Sequence, residues 1–197
     1  MLFRSSTEQL YDKLRNNPYS FLQVIRPETD ILITNQERFE RIRSRLNQFI
    51  DKGIYQLDES PSYFLYEQKS AGRIYSGFIG LLDVNKAEVH LHEKTLESRE
   101  KLFAEYLEST GFQAEPILVF GASDAKRTEL MEKVKLSVPI FDFFTTNEIG
   151  HKLWVVTGDL KITLEENFRK NNAYFLADGH HRFGSTKRVA EIGRAHV

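Results

Sequence analysis

The stretch Tyr174-Phe-Leu-Ala-Asp-Gly-His-His-Arg182 predicts a strand that passes through a turn into a helix. Its residues 174–177 are apolar or aromatic, which is typical of a buried strand. The strand ends at Asp178-Gly179, and a helical pattern over residues 186–192 follows His180-His181-Arg182. A strand that passes through Asp-Gly into a helix places backbone N–H groups, a cation and a carboxylate at one point. That is a geometry that holds a phosphate group.

A simpler interpretation of the same stretch is an ordinary strand–turn–helix junction. Asp-Gly is a common turn pair, and polar residues after it can simply face water. Three adjacent imidazole and guanidinium groups are, however, more than a plain turn requires. The sequence therefore leaves both a phosphate site and a plain turn open.

Composition limits the class of protein. The chain has 197 residues, of which 41% are hydrophobic and 28% charged, enough for an apolar core with a charged surface. The net charge of −1, with both signs interleaved, predicts no nucleic-acid partner. No apolar run approaches the roughly 18 residues that cross a bilayer, and no signal peptide is visible, so we expect a cytoplasmic protein without a membrane partner. The absence of cysteine excludes disulfides, thiolate zinc sites and thiol nucleophiles within this sequence.

Alternating strand and helix patterns predict an α/β fold, with a mixed sheet and flanking helices. Capping boxes at Ser6-Thr-Glu-Gln9 and Thr34-Asn-Gln-Glu37 open two helices, the second strongly amphipathic. A hairpin is expected around Gly72. Strands are predicted over residues 21–25, 63–68, 74–82, 89–91, 116–120, 141–145, 151–157 and 174–177. Further helices are predicted over residues 98–109, 124–135, 160–170 and 186–192, the second of them solvated.

Both ends of the chain look foreign to the rest. Leu2-Phe-Arg-Ser5 and Glu191-Ile-Gly-Arg-Ala-His-Val197 are what common sequencing-adapter DNA encodes when it is read in frame. The hypothesis is a single incomplete α/β domain over residues 6–190, with adapter-derived ends at residues 1–5 and 191–197. Arg194 and His196 then carry no functional weight.

A second polar cluster lies at Val89-His-Leu-His-Glu-Lys-Thr95. His90 and His92 alternate with apolar residues, so they share a face if the strand continues. Two such histidines can bind a metal, with Glu93 as ligand or base, although a polar strand edge is the simpler explanation of the spacing alone. Because four of the six histidines fall in the two clusters, we predict one polar site formed by both. The expected members are His92, Glu93, Asp178, His180, His181 and Arg182.

The sequence resembles a bacterial and archaeal family called domain of unknown function 1015, which has been described as associated with serine biosynthesis. The matching stretches follow the order of the family. They are Asn17-Pro-Tyr-Ser-Phe-Leu22 with Arg26-Pro-Glu28, His92-Glu-Lys-Thr95, His151-Lys-Leu-Trp154 and Ala177-Asp-Gly-His-His-Arg182. The family's usual N-terminal Pro-Pro-Tyr-Asp segment is absent here, which agrees with an incomplete chain.

The Asp-Gly-His-His-Arg element is also similar to the phosphate-contacting motif of the ParB and sulfiredoxin-like superfamily. That group includes nucleotide hydrolases, sulfiredoxins and free-serine kinases. The resemblance implies a phosphotransferase that uses ATP or ADP and Mg²⁺ to phosphorylate a small hydroxyl metabolite, with free L-serine as the expected acceptor. No Gly-x-x-x-x-Gly-Lys-Ser/Thr run is present, which argues against a P-loop kinase.

The same resemblance implies roles for the residues of the two clusters. Glu93 is the preferred base and Asp178 the preferred Mg²⁺ ligand or orienting carboxylate, although the two could exchange roles. His92 joins them in the catalytic set. The expected phosphate-binding residues are Gly179, His180, His181, Arg182 and Thr95.

Two alternative functions remain open. A non-catalytic nucleotide or metabolite sensor would need residues 179–182 but not Glu93. A metal-dependent hydrolase would use the four clustered histidines, and the lack of a helical His-x-x-x-His pair argues against it. Those histidines are His90, His92, His180 and His181.

Overall fold

The computed structural model describes residue 14 and residues 16–26, 33–170 and 173–195. The contacts divide the chain into two compact units, each assembled from separate segments. Among the described residues, the first unit contains the chain up to Leu57, Glu93–Leu118 and the chain from Asp178 onward. The second contains Asp58–His92 and Val119–Ala177. The capping box predicted at Ser6 lies outside the described residues, and the single domain over residues 6–190 stays a prediction.

Helices and strands alternate along the chain, which confirms the predicted α/β class. The strands of the described residues form two sheets, one ordered β2-β1-β6-β5 and one ordered β3-β7-β4. The elements are α1 Leu22–Ile25, α2 Asn35–Asp51, β1 Tyr63–Ser70, β2 Arg73–Ile79, β3 Glu88–His90, α3 Glu97–Thr110, β4 Leu118–Phe120, α4 Ala125–Lys135, β5 Phe141–Phe144, β6 Gly150–Val156, α5 Gly158–Lys170, β7 Ala173–Asp178 and α6 His180–Ala195.

Helix α2 begins at the predicted capping box. The Thr34 hydroxyl accepts the Glu37 N–H at 3.2 Å, and the Glu37 carboxylate accepts the Thr34 N–H at 2.8 Å. These two bonds satisfy N–H groups that the first turn of a helix otherwise leaves without partners. The apolar face of α2 then packs into the core of the first unit. The buried residues of that core are Val24, Phe39, Ile42 and Phe49.

The strand predicted over residues 21–25 is wrong, because this segment forms the single helical turn α1. The Asn17 side chain accepts the Tyr19 N–H, and the Ser20 hydroxyl accepts the Leu22 N–H, each at 3.2 Å. Side chains that bond to nearby backbone groups in this way favour turns and helix starts over strands. A short apolar run alone does not distinguish the two structures.

The four-stranded sheet of the second unit confirms the predicted hairpin. Strands β1 and β2 form the hairpin, and its turn residues Ala71 and Gly72 have φ of 48° and 74°. Two positive φ values are the mark of a type I′ turn, whose twist matches the strands. Strand β6 pairs with both β1 and β5. Helix α4 is not simply solvated as predicted, because Leu130 and Val134 are buried in the core of this unit.

Strand β7 of the three-stranded sheet is followed directly in the chain by the candidate site. Strand β7 pairs in parallel with β3. Its predicted run of buried residues is wrong, because Tyr174 and Leu176 are buried whereas Phe175 is 47% exposed. Strand β4 is likewise shorter than predicted, and both Leu118 and Phe120 are exposed. Strand β7 therefore buries only one face, as the alternation of side chains along a strand requires.

Candidate functional site

The junction between β7 and α6 carries the predicted phosphate-contacting residues. Strand β7 ends at Asp178, Gly179 takes a φ of 94°, and α6 begins at His180 rather than at Thr186. A Cβ added at Gly179 would lie only 2.7 Å from Cγ2 of Ile117. Both the positive φ and this close packing therefore require glycine.

His180 and His181 lie in the first turn of α6, where the Phe183 N–H donates to the Gly179 carbonyl at 2.9 Å. The N–H groups that precede this bond have no partner within the helix, and the helix dipole adds partial positive charge there. Such a helix start can bind an anion when other groups support it. The next side chains to consider are therefore those that surround this turn.

The two predicted clusters meet at His180. Its Nδ1 lies 3.9 Å from Oε2 of Glu93. The His180 side chain is only 8% exposed, whereas that of Glu93 is 67% exposed. A buried imidazole thus sits beside a carboxylate that remains open to a small molecule.

The Arg182 guanidinium is engaged by protein groups. Nη1 lies 3.1 Å from a carboxylate oxygen of Glu115 and donates to the Pro116 carbonyl at 2.6 Å, while Nη2 donates to Asp178 at 2.9 Å. The side chain is only 16% exposed. A phosphate would reach this guanidinium only if Glu115 or Asp178 gave up its contact. Arg182 therefore ties the end of β7 and the chain before β4 to helix α6.

Thr95 lies beside α3, and its hydroxyl donates to Glu100 in the first turn of that helix. The Glu100 carboxyl group packs against the backbone of α6 at Gly184, where an added Cβ would lie 2.8 Å from the carboxyl carbon. Sequence reasoning missed both Glu100 and Glu115. The available signal was Gly184 itself, because an isolated glycine inside a helix often marks a close approach.

The metal-site alternative requires several histidines grouped around one ion. Strand β3 ends at His90, so the strand on which His90 and His92 were expected to share a face does not extend to His92. His90 lies 3.2 Å from Glu88 and stacks on Phe175. Among residues 16–26, 33–170 and 173–195, no three His, Asp or Glu side chains are grouped so that they could hold a metal ion. The geometry therefore gives no support to a four-histidine site.

Two further histidines have distinct surroundings. Nδ1 of His181 is buried and has no hydrogen-bond partner within the described part of the chain. His151 lies on β6, with its Nδ1 at 2.6 Å from the Tyr66 hydroxyl and its ring stacked on Phe143. These neighbours indicate a structural role for His151.

The chain is an α/β protein. Its candidate site consists of the end of a strand, a glycine and the start of a helix, with the Glu93 carboxylate beside them. It belongs to the family described as "Protein of unknown function (DUF1015)", whose model matches residues 4–196. This match confirms the family resemblance seen in the sequence. No curated protein and no solved structure matches the chain. Within the described ranges, no helix is long and apolar enough to cross a membrane.

Proposed function

We propose that this chain is part of a nucleotide-dependent phosphotransferase that acts on the hydroxyl group of a small metabolite, with free L-serine as the acceptor. The observation that carries the proposal is the Glu93 carboxylate, 3.9 Å from His180 in the first turn of α6. Phosphoryl transfer to a hydroxyl needs a group that takes or orients the hydroxyl proton and a positive environment for the phosphates. Glu93 and the start of α6 supply these side by side.

In the proposed reaction, the acceptor hydroxyl oxygen forms a bond to the terminal phosphorus of the nucleotide. The bond from that phosphorus to the bridging oxygen breaks, and the bridging oxygen keeps the electron pair. ATP thereby leaves as ADP, or ADP as AMP. The hydroxyl proton passes to Glu93, whose side chain is 67% exposed and so accessible to the acceptor. The buried His180 imidazole lies beside that carboxylate and orients it.

The first turn of α6 is the proposed binding place for the phosphate groups. The positive φ of Gly179 turns the chain sharply from β7 into the helix, whose first backbone N–H groups can bind a phosphate. His180 and His181 begin the helix there. Arg182 lies next to this turn, where its contacts with Glu115 and Asp178 hold it in place and offset its positive charge.

The residues present also fit Mg²⁺ bound together with a nucleotide. Protein sites for nucleotide-bound Mg²⁺ commonly supply one or two carboxylates, and phosphate oxygens and water complete the coordination. The Asp178 side chain is 60% exposed at the end of β7, and Oδ2 is the oxygen that Arg182 contacts. When bound, the ion would neutralise negative charge on the phosphates. An exchange of roles between Asp178 and Glu93 would use the same two carboxylates.

A non-catalytic nucleotide or metabolite sensor is the second candidate. The observation that favours it over the kinase is that two carboxylates and a carbonyl already bind the Arg182 guanidinium, which makes this group less available to stabilise a phosphoryl group in transfer. A sensor would bind the nucleotide at the start of α6 and would not need Glu93. For either function we propose a cytoplasmic location, where ATP, ADP and free serine are available.

One substitution separates the two candidates. The protein and its Glu93→Gln variant are each given ATP or ADP with Mg²⁺ and L-serine, and O-phosphoserine is measured by mass spectrometry beside nucleotide affinity by calorimetry. If the chain is a kinase, Glu93→Gln should form no O-phosphoserine and should keep its affinity for the nucleotide. The exposed Glu97→Gln, four residues along the chain, is the matched control and should retain both. If the wild type and both variants bind the nucleotide but none of them forms O-phosphoserine, the result favours the sensor.

A further inference from the structure

We infer that Glu100 is a positioning residue that fixes the segment carrying Glu93 against helix α6. Its consequence for turnover rests on the proposed function, whereas its effect on the position of Glu93 can be measured without any activity. Neither the family description nor the two polar clusters assigns Glu100 a role. The inference depends on three contacts within the first unit.

The first contact holds Thr95. Its hydroxyl donates to Oε1 of Glu100, and both side chains are half-buried. Thr95 follows Glu93 by two residues, so this bond fixes the chain within about 7 Å of the Glu93 backbone.

The second contact holds Glu100 itself. A Cβ added at Gly184 would lie 2.8 Å from the carboxyl carbon of Glu100 and 3.3 Å from its Cγ. Unstrained carbon–carbon contacts lie at about 3.5–4.0 Å, so a side chain at residue 184 would push the Glu100 carboxyl group away. Alanine is normally preferred over glycine inside a helix. The presence of Gly184 in α6 is therefore explained by the carboxyl group that packs on it.

The third contact is the pair formed by Glu93 and His180, at 3.9 Å. His180 and Gly184 are four residues apart in α6, so they lie one above the other on the same helix face. Glu93 contacts His180, and Glu100 packs against Gly184. The segment from Glu93 to Glu100 thus contacts one face of α6 near both of its ends, and loss of the Glu100 contact should displace Glu93.

The test follows the imidazole signal of His180 by NMR in the whole chain, at fixed pH and without nucleotide. His180→Gln assigns the signal by removing it. Glu93→Gln removes the charge beside the ring, and the resulting change of chemical shift is the reference. We expect Glu100→Ala to move the signal in the same direction by more than half of the reference. Adding Glu93→Gln to Glu100→Ala should then change it little.

Conservative and matched variants separate positioning from general stability. Glu100→Gln keeps an oxygen that can accept the Thr95 hydroxyl, so it should keep the wild-type signal. Gly184→Ala should reproduce Glu100→Ala, because it displaces the carboxyl group without removing a polar atom. Gly193→Ala in the same helix is the control, since nothing lies within 4 Å of an added Cβ there. Thr95→Val replaces Glu100→Ala in the test if the latter unfolds.

The inference is overturned if Glu100→Ala and Gly184→Ala leave the His180 signal at its wild-type position while Glu93→Gln still shifts it fully. In the serine kinase assay, Glu100→Ala should lower kcat by up to about 100-fold, because small displacements of a catalytic group have effects of that size. The KM for the nucleotide should stay unchanged. A chain that forms no phosphoserine in any variant would contradict the proposed function, and the NMR result would still decide the role of Glu100.

Discussion

The Glu93 carboxylate and the buried imidazole of His180 lie 3.9 Å apart, although the two residues are distant in sequence. The pair joins the chain that follows β3 to the first turn of α6. A carboxylate beside an imidazole can be oriented by it, and a helix start can bind an anion. This relationship is the basis of the function proposed for the chain.

His180→Gln should lower turnover and leave nucleotide affinity nearly unchanged. The amide cannot replace the imidazole that orients Glu93, while the backbone N–H groups of α6 remain. We expect kcat to fall at least about 10-fold, a modest part of what a positioned proton acceptor contributes. Steady-state kinetics with titration of the nucleotide measures both quantities. His90→Gln, on β3, is the control and should behave as wild type. Equal losses in both variants would contradict the assigned role of His180.

Arg182→Lys should destabilise the protein although it conserves the charge. An ammonium group cannot make the forked contacts to Glu115, the Pro116 carbonyl and Asp178 at once. Loss of hydrogen bonds to charged groups should reduce the free energy of unfolding by about 2 kcal/mol. Urea unfolding measures this change. Arg188→Lys, later in α6, should stay within about 0.5 kcal/mol of wild type. A stable Arg182→Lys protein would show that these contacts add little.

Thr34→Ala should shorten or fray the start of α2. The substitution removes the hydroxyl that accepts the Glu37 N–H, one half of the capping box. The expected loss is about 1 kcal/mol of unfolding free energy, measured by urea denaturation. Asn47→Ala, at an exposed position within the same helix, is the control and should be neutral or slightly stabilising. A neutral Thr34→Ala would mean that the cap does not stabilise the folded chain.

Protonation of Asp124 should lower the free energy of unfolding of the chain at acid pH. The Arg127 N–H, and then the Asn167 side chain, lower the pKa of the Asp124 carboxyl below its ordinary value. A carboxyl whose pKa is lower in the folded state stabilises it above the unfolded pKa of about 4, and that contribution is lost as the pH falls further. Unfolding measured from pH 7 to pH 3 should therefore show a shallower acid loss in Asp124→Asn. Asp58→Asn is the exposed control, and identical profiles for wild type and Asp124→Asn would contradict the account.

The parts of the fold with strong local signals could be predicted from the sequence. The capping box at Thr34 determines where α2 begins, and the hairpin turn follows from Gly72 between two aromatic strands. Short apolar runs were less informative, because residues 21–25 form a helical turn through side-chain bonds from Asn17 and Ser20. The start of α6 was also missed, since two histidines after Gly179 give no apolar period.

Some residues of the candidate site could likewise be predicted from the sequence, and others could not. Motif residues such as Glu93 and His180 could be named from the sequence because unusual residue types are concentrated there. Glu100 and Glu115 could not, because each looks like an ordinary surface carboxylate until the fold brings it to Gly184 or Arg182. Their roles depend on contacts between segments that are distant in the chain, and no local pattern encodes such contacts.

The proposed reaction is tested most directly by a ³¹P NMR time course of the chain with ATP or ADP, Mg²⁺ and L-serine. We expect a growing phosphomonoester signal of O-phosphoserine, matched by loss of the terminal phosphate of the nucleotide and abolished by Glu93→Gln. A folded chain that binds the nucleotide and yields no phosphomonoester, or one whose yield is unchanged by Glu93→Gln, would contradict it.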